Sequence, residues 1–301
     1  MCASTEIKSL LECKKKDKNT TFVDSNLPRY LPFSASKKRT KDYSIRKTFW
    51  GSGLEMEITA LESINAYDLK VLLEILNIYQ NYPQKWSYSK LVVEDHIIEL
   101  AGIKLDIEEI IKKRGIKNKK VNRKTFVESL RRWYSAEVRY YANGQEIANT
   151  RYVWEVKPNK DYKTVIIAVN RKFLEFCIKK GILIDLKRLY LYDGLKEKYK
   201  SYAELLDFHL QGTKEETQIK GKKRYYYRRM FKEEDLFNAL NLFEIEREKE
   251  RRYILKKAFS LVHDVGKLPK YILTNKNGTP YWVRVDIQKV QPKIKKKKNT
   301  F

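Results

Sequence analysis

The sequence predicts an α+β protein made of two successive units, each ending in a basic amphipathic helix and a β-hairpin. Three observations carry this expectation. Residues 245–262 (IEREKERRYILKKAFSLV) place Ile254, Leu255, Ala258, Phe259 and Val262 on one helical face, and Lys249, Tyr253, Lys256, Lys257 and Ser260 on the other. Two short alternating segments follow, 271–274 and 281–285, joined through Asn275-Lys276-Asn277-Gly278, where Asn-Gly suits the positive φ of a tight turn. Upstream, a helix over 123–137 and the segments 138–141, 151–156 and 164–169 repeat that order. No residue-level repeat accompanies it, so the duplication is one of layout.

Composition narrows the function. The 301 residues, 42% hydrophobic and 34% charged, suit folded domains and not a disordered polyelectrolyte. No apolar run approaches the roughly 18 residues of a membrane span, and the N-terminus carries its basic cluster after a short apolar patch, the wrong order for a signal peptide. Cys2, Cys13 and Cys177 form neither a disulfide framework nor a zinc motif. A cytoplasmic protein without membrane contact is expected. The net charge of +26 points to a polyanionic partner, most economically nucleic acid.

In chain order, 1–43 reads as a flexible basic arm, rich in Lys, Ser, Thr and Asn. A hairpin is expected over 44–59, turning at Trp50-Gly51-Ser52-Gly53, with Leu54, Met56 and Ile58 alternating with glutamates. A helix over 66–79 carries Leu69, Leu72, Leu73, Leu76 and Tyr79 on one stripe and is closed by Pro83. Another covers 106–113. Residues 112–124 then hold eight Lys or Arg and no acid. On the helix over 123–137, Phe126, Leu130, Trp133 and Tyr134 form the apolar face, opposite Lys124, Arg131 and Ser135. Three helices are expected across 171–210, broken near Gly181 and Gly194. A helix over 231–241 buries Leu236, Phe237 and Leu240, and 287–301 is a basic tail with six lysines. The domains are therefore expected at 44–182 and 183–286.

Catalytic patterns are missing from the sequence. His96, His209 and His263 are far apart, and His263-Asp264 matches one fragment of a phosphohydrolase metal motif whose other ligands are missing. Neither phosphate-cradling glycine motif occurs. The expectation is no enzyme activity, no metal and no cofactor. DNA contact is expected from Lys249, Arg252, Tyr253, Lys256 and Lys257 on the last helix, and from Lys276 and Arg284 in the hairpin. Lys124, Arg131 and Arg132 make the corresponding set upstream. In the run 222–229 (KKRYYYRR), Arg228 and Arg229 are read as phosphate contacts and the tyrosines mainly as core, with base stacking as the other reading.

The order of elements resembles the tandem winged-helix replication initiators of bacterial plasmids. The residues that carry the resemblance are TFWGSGLEMEIT with YDLKVLLEIL, then DLKRLYLYDGLKEKYKSYAELLDFHL, then the helix and hairpin from 245 onwards. The resemblance implies binding of origin DNA repeats (iterons), opening of an AT-rich region, recruitment of host initiator and replicative helicase, and homodimers that repress. The basic arm and the run 222–229 are not matched to that family. A winged-helix transcription regulator of a plasmid or phage, and a strand-processing nuclease or primase-like enzyme, are the other readings.

Overall fold

The computed structural model describes residues 18–36, 38–48, 53–93, 96–116, 119–212, 216–217, 226–266, 271–274 and 282–288. The described chain opens with strand β1 (Thr20–Val23) and helix α1 (Asn26–Tyr30), followed by the antiparallel pair β2 (Lys41–Thr48) and β3 (Leu54–Glu62). Helix α2 (Ala66–Asn81) starts at a capping box. The Asn65 side chain accepts the N–H groups of Tyr67 and Asp68, and the Asp68 carboxylate accepts that of Asn65. The expected leucine stripe is buried, and so are Val71 and Ile75, so neighbours enclose α2 on nearly every side.

Strands β4 (Ser87–Val93) and β5 (His96–Asp106) lead into α3 (Ile107–Lys113) and α4 (Lys119–Ser135). Hairpin β6 (Glu137–Ala142) and β7 (Gln145–Thr150) turns at Asn143-Gly144, both at positive φ. Then come β8 (Val153–Pro158), β9 (Thr164–Asn170), α5 (Arg171–Lys180), β10 (Ile182–Asp185), α6 (Leu186–Tyr190) and α7 (Lys200–Gly212). The last stretch holds β11 (Glu216–Thr217), β12 (Tyr226–Lys232), α8 (Glu233–Ala239), α9 (Glu248–Gly266), β13 (Tyr271–Thr274) and β14 (Trp282–Gln288).

This α+β architecture uses one plan twice. In the first half, α2, β5, α3, α4, β8 and β9 follow one another, and the sheet runs β4-β5-β9-β8. In the second, α7, β12, α8, α9, β13 and β14 do the same, and the sheet runs β11-β12-β14-β13. In both, the strand before the helix pair sits beside the last strand, and one further strand extends the edge, seven residues long in the first copy and two in the second. The first copy differs by an insertion, since β6 and β7 leave after α4 to join β2 and β3 in a separate sheet of order β2-β3-β6-β7.

The structure departs from the sequence expectations in four places. Of the expected arm, residues 1–17 and 37 lie outside the described residues, while residues 18–36 are not flexible, since β1 pairs with β10 and Phe22, Val23, Leu27, Leu31 and Phe33 are buried in the core. Their apolar side chains are too irregularly spaced to show a period, and their partners lie far along the chain. The hairpin β4–β5 was not expected, because β4 is almost wholly exposed and carries no alternation. Tyr134 is 45% exposed, not part of the apolar face of α4. The segment after Gly181 opens as strand β10, and the expected second helix shortens to α6.

Gly181 is required by a close approach. A Cβ there would run into the carbonyl oxygens of Cys177 and Val23, where α5 ends against β1. Gly181→Ala is expected to destabilise by about 1–3 kcal/mol through overpacking, read from the urea midpoint.

The halves share one core and are tied by polar contacts. His209 Nδ1 on α7 lies 2.7 Å from the Pro28 carbonyl oxygen, and Asn241 Nδ2 donates to that of Phe33 at 2.9 Å. Lys47 on β2, nearly buried, donates to the backbone oxygen of Asn238 at the end of α8. Burial lowers its pKa to about 8, partly offset by Glu244. A lysine with a folded pKa below its unfolded one weakens the fold while charged, fully so below the folded value, and the cost fades as pH rises towards the unfolded value. Wild type is therefore expected to gain stability relative to Lys47→Met between about pH 7 and about pH 9.5, on the order of 1 kcal/mol, in paired urea titrations.

Candidate nucleic-acid interface

The interface is built first by α9. Glu248 and Glu250 occupy its first turn, where the helix dipole favours carboxylates, with Lys249 between them. Ile254, Leu255, Ala258, Phe259 and Val262 are buried, as their spacing requires, and α9 packs on α7. This turns Lys249, Tyr253, Lys256, Lys257 and Ser260 outward, all exposed. Among the described residues neither Lys249 nor Lys256 has an ion-pair partner. Lys257 Nζ lies 5.6 Å from the centre of the Tyr253 ring.

Arg252 has another task. Its Nε donates to both carboxylate oxygens of Glu233 at 3.1 and 3.0 Å, and its terminal nitrogen meets Glu248 at 2.5 Å. Two carboxylates neutralise it while it fastens α9 to the start of α8. This corrects its reading as an open DNA contact. Arg251 is likewise tied, donating to the backbone oxygens of Ile245 and Glu246 at 2.5 and 3.0 Å.

The hairpin residues are placed by register. Arg228 is opposite Asp286, Arg229 opposite Val285, and Met230 opposite Arg284. Only the backbone register of these residues is described, on the paired strands β12 and β14. Lys276 and residues 222–225 lie outside the described residues.

On α4, Phe126, Val127, Leu130 and Trp133 are buried and Lys124 and Arg131 are exposed. Lys124 has only a loose contact with Glu128, at 3.8 Å. Arg132 is a correction. It is 8% exposed, and its guanidinium donates to the fully buried Asp68 at 3.0 Å and reaches Glu62 at 3.4 Å. Asp68 also accepts Arg39 at 2.6 Å, and its backbone oxygen accepts Trp133 Nε1 at 2.7 Å. Arg132 thus locks α4 to the N-terminus of α2 and is not available to a phosphate.

One part of the surface was missed from sequence. Tyr199, in the segment before α7, meets Tyr253 edge to face, with centroids 5.9 Å apart and planes at 80°. Lys198 Nζ lies 5.3 Å from the Tyr199 centroid. These residues adjoin α9 only because α7 and α9 pack together, and no local pattern could have shown it.

Among the described residues no group of three His, Cys, Asp or Glu is placed to hold a metal ion, and no helix is long and apolar enough to cross a membrane. The arrangement presents cations and aromatic rings on one exposed helix face, suited to phosphates and bases.

No family model matches the chain, and no curated protein does. Its fold is similar to that of solved structures. A crystal structure of domains 2 and 3 of RctB, as selenomethionine derivative, is similar with a TM-score of 0.53 at 12% identity, covering 88% of this chain and 97% of that chain. A second crystal structure of RctB domains 2–3 gives a TM-score of 0.48 at 12% identity, over 88% of this chain and 96% of that one. At such identity the likeness is one of fold.

Proposed function

We propose that the protein is a replication initiator of a plasmid, binding repeated origin sequences through two tandem winged-helix units. The single observation that carries this is the plan built twice, helix, strand, helix, helix, strand, strand, with matching strand order in both sheets. In such a unit the third helix enters the major groove and the following hairpin lies beside it. The third helices are α4 and α9, and both hold exposed lysine on the side away from the core. The likeness of most of the chain to RctB domains 2 and 3 supports a replication-initiator fold.

In this reading α9 contacts one groove segment through Lys249, Tyr253, Lys256 and Lys257, and α4 an adjacent one through Lys124 and Arg131. Arg228 and Arg284, on the paired strands β12 and β14, serve as flanking phosphate contacts, and the net charge supplies sequence-independent affinity. The protein itself is non-catalytic; it opens the AT-rich region by binding and recruits host initiator and helicase, with homodimers as the repressing form in the cytoplasm.

Footprinting of the purified protein on the DNA flanking its gene tests the reading. Regularly spaced protection over direct repeats beside an AT-rich stretch is expected. Protection of a lone palindrome would make it a transcription regulator, and nicking of supercoiled origin DNA in Mg²⁺ would show a strand-processing enzyme.

A further inference from the structure

Tyr253 stands on the cationic face of α9 and remains 50% exposed although Tyr199 abuts it. The two rings meet edge to face, and each has an ammonium group near it, Lys257 for Tyr253 and Lys198 for Tyr199. Lys256 is exposed on the adjoining turn. One patch therefore joins two rings and three lysines from segments that only the packing of α9 on α7 brings together.

Duplex DNA offers protein mainly the edges of its bases, because their faces are stacked on one another. An exposed ring among cations, backed by a second, partly buried ring, matches a different ligand, the unpaired base, whose free π-face stacks on an aromatic side chain while its phosphates meet lysines. Core packing does not account for Tyr253, since half of it stays in water. Its contact with Tyr199 orients the ring in advance, which reduces the ordering cost of binding.

We propose that Tyr253 and Tyr199, flanked by Lys198, Lys256 and Lys257, form a binding platform for single-stranded DNA, with an unpaired base stacked on the exposed part of the Tyr253 ring. The proposal rests on the reading of α9 as a DNA-binding helix and adds a second DNA form to it. Tyr253 lies between Lys249 and Lys256 on the same face, so single strand and duplex compete for α9.

Fluorescence anisotropy with a labelled oligo(dT) and with a random-sequence duplex of equal length, at one salt concentration, tests this on the full chain. Tyr253→Leu is expected to weaken oligo(dT) binding by about 5- to 50-fold and duplex binding, in which Tyr253 is one contact among several lysines, by a clearly smaller factor, whereas Tyr253→Phe stays within about 2-fold for both. Unlabelled oligo(dT) is expected to displace the duplex. Lys198→Gln with Lys257→Gln, which removes no packed ring, is expected to lower the salt dependence of oligo(dT) binding, and serves if Tyr253→Leu melts early. Wild-type binding of duplex but not oligo(dT) overturns the platform alone, as does unchanged oligo(dT) affinity in both the Tyr253→Leu and double-lysine variants. Equal loss on both DNA forms in Tyr253→Leu overturns it as well. If the wild type binds neither form, the DNA-binding reading of α9 itself fails.

Discussion

Asp193→Ala is expected to remove about 3–5 kcal/mol of stability, because it leaves the buried Arg114 without its carboxylate and takes one of two from the buried Lys70. Asp193 lies just after α6 and joins both halves of the molecule. Its carboxylate accepts Arg114 Nε and a terminal nitrogen, each at 3.0 Å, and also Lys70 Nζ of α2. Lys70 reaches Glu204 of α7 at 2.9 Å, while Lys113 meets Glu74 at 3.3 Å. The Arg114 side chain is fully buried and that of Lys70 is 3% exposed, so water cannot replace the lost partner. Burial by itself would raise the Asp193 pKa, but Lys70 and Arg114 outweigh it and hold the carboxyl below its usual value. With the folded pKa depressed, its stabilisation is present above the unfolded pKa, near pH 4, and is lost as pH falls through the folded one. Urea unfolding near neutral pH should show the full difference between wild type and variant. A change under about 1 kcal/mol would mean that the network relaxes around the gap.

Reversing charge at Lys249 and Lys256 together is expected to abolish origin binding, a loss of about 100-fold or more at moderate salt, with the fold intact. Both side chains are exposed on α9 and neither is ion-paired among the described residues, so glutamate in their place disturbs no buried contact. Such surface changes ordinarily shift stability by less than about 0.5 kcal/mol. In the proposed function their effect is therefore one on the DNA, since two attractive contacts with phosphates would become repulsive. The milder Lys249→Ala with Lys256→Ala should lower the slope of log affinity against log salt by about 2. An undiminished footprint in the reversed variant would remove α9 from the interface. Arg252 gives the contrast: Arg252→Gln breaks its double contact with Glu233 and so acts on the α8–α9 junction.

Legibility in the sequence followed the range of the interactions. The inner face of α9, from Ile254 to Val262, the stripe of α2 and the burial of Leu236 and Phe237 all agree with the spacing of apolar residues. A helix period is local and is written within a few turns. The turn at Asn143-Gly144 is local in the same way, since Asn and Gly themselves tolerate the positive φ found there. The segment 18–36 was not, because its order comes from β10, α2 and α7, which lie far along the chain. Gln80 on α2 accepts the N–H of Phe22 at 2.8 Å and donates to its carbonyl oxygen at 2.8 Å.

By itself the sequence determined the charge, the helices that bury one face, and through their order with the strands an α+β protein. The tertiary structure decided which cations stay exposed. Arg131 and Arg132 are neighbours of one chemistry, yet one is exposed and the other is sealed against Asp68. Arg252 and Lys256 share a helix, yet only Arg252 finds carboxylates within reach. The reason is that local periodicity sets the direction of a side chain, whereas the neutralisation of its charge depends on groups that only folding brings within a few ångströms.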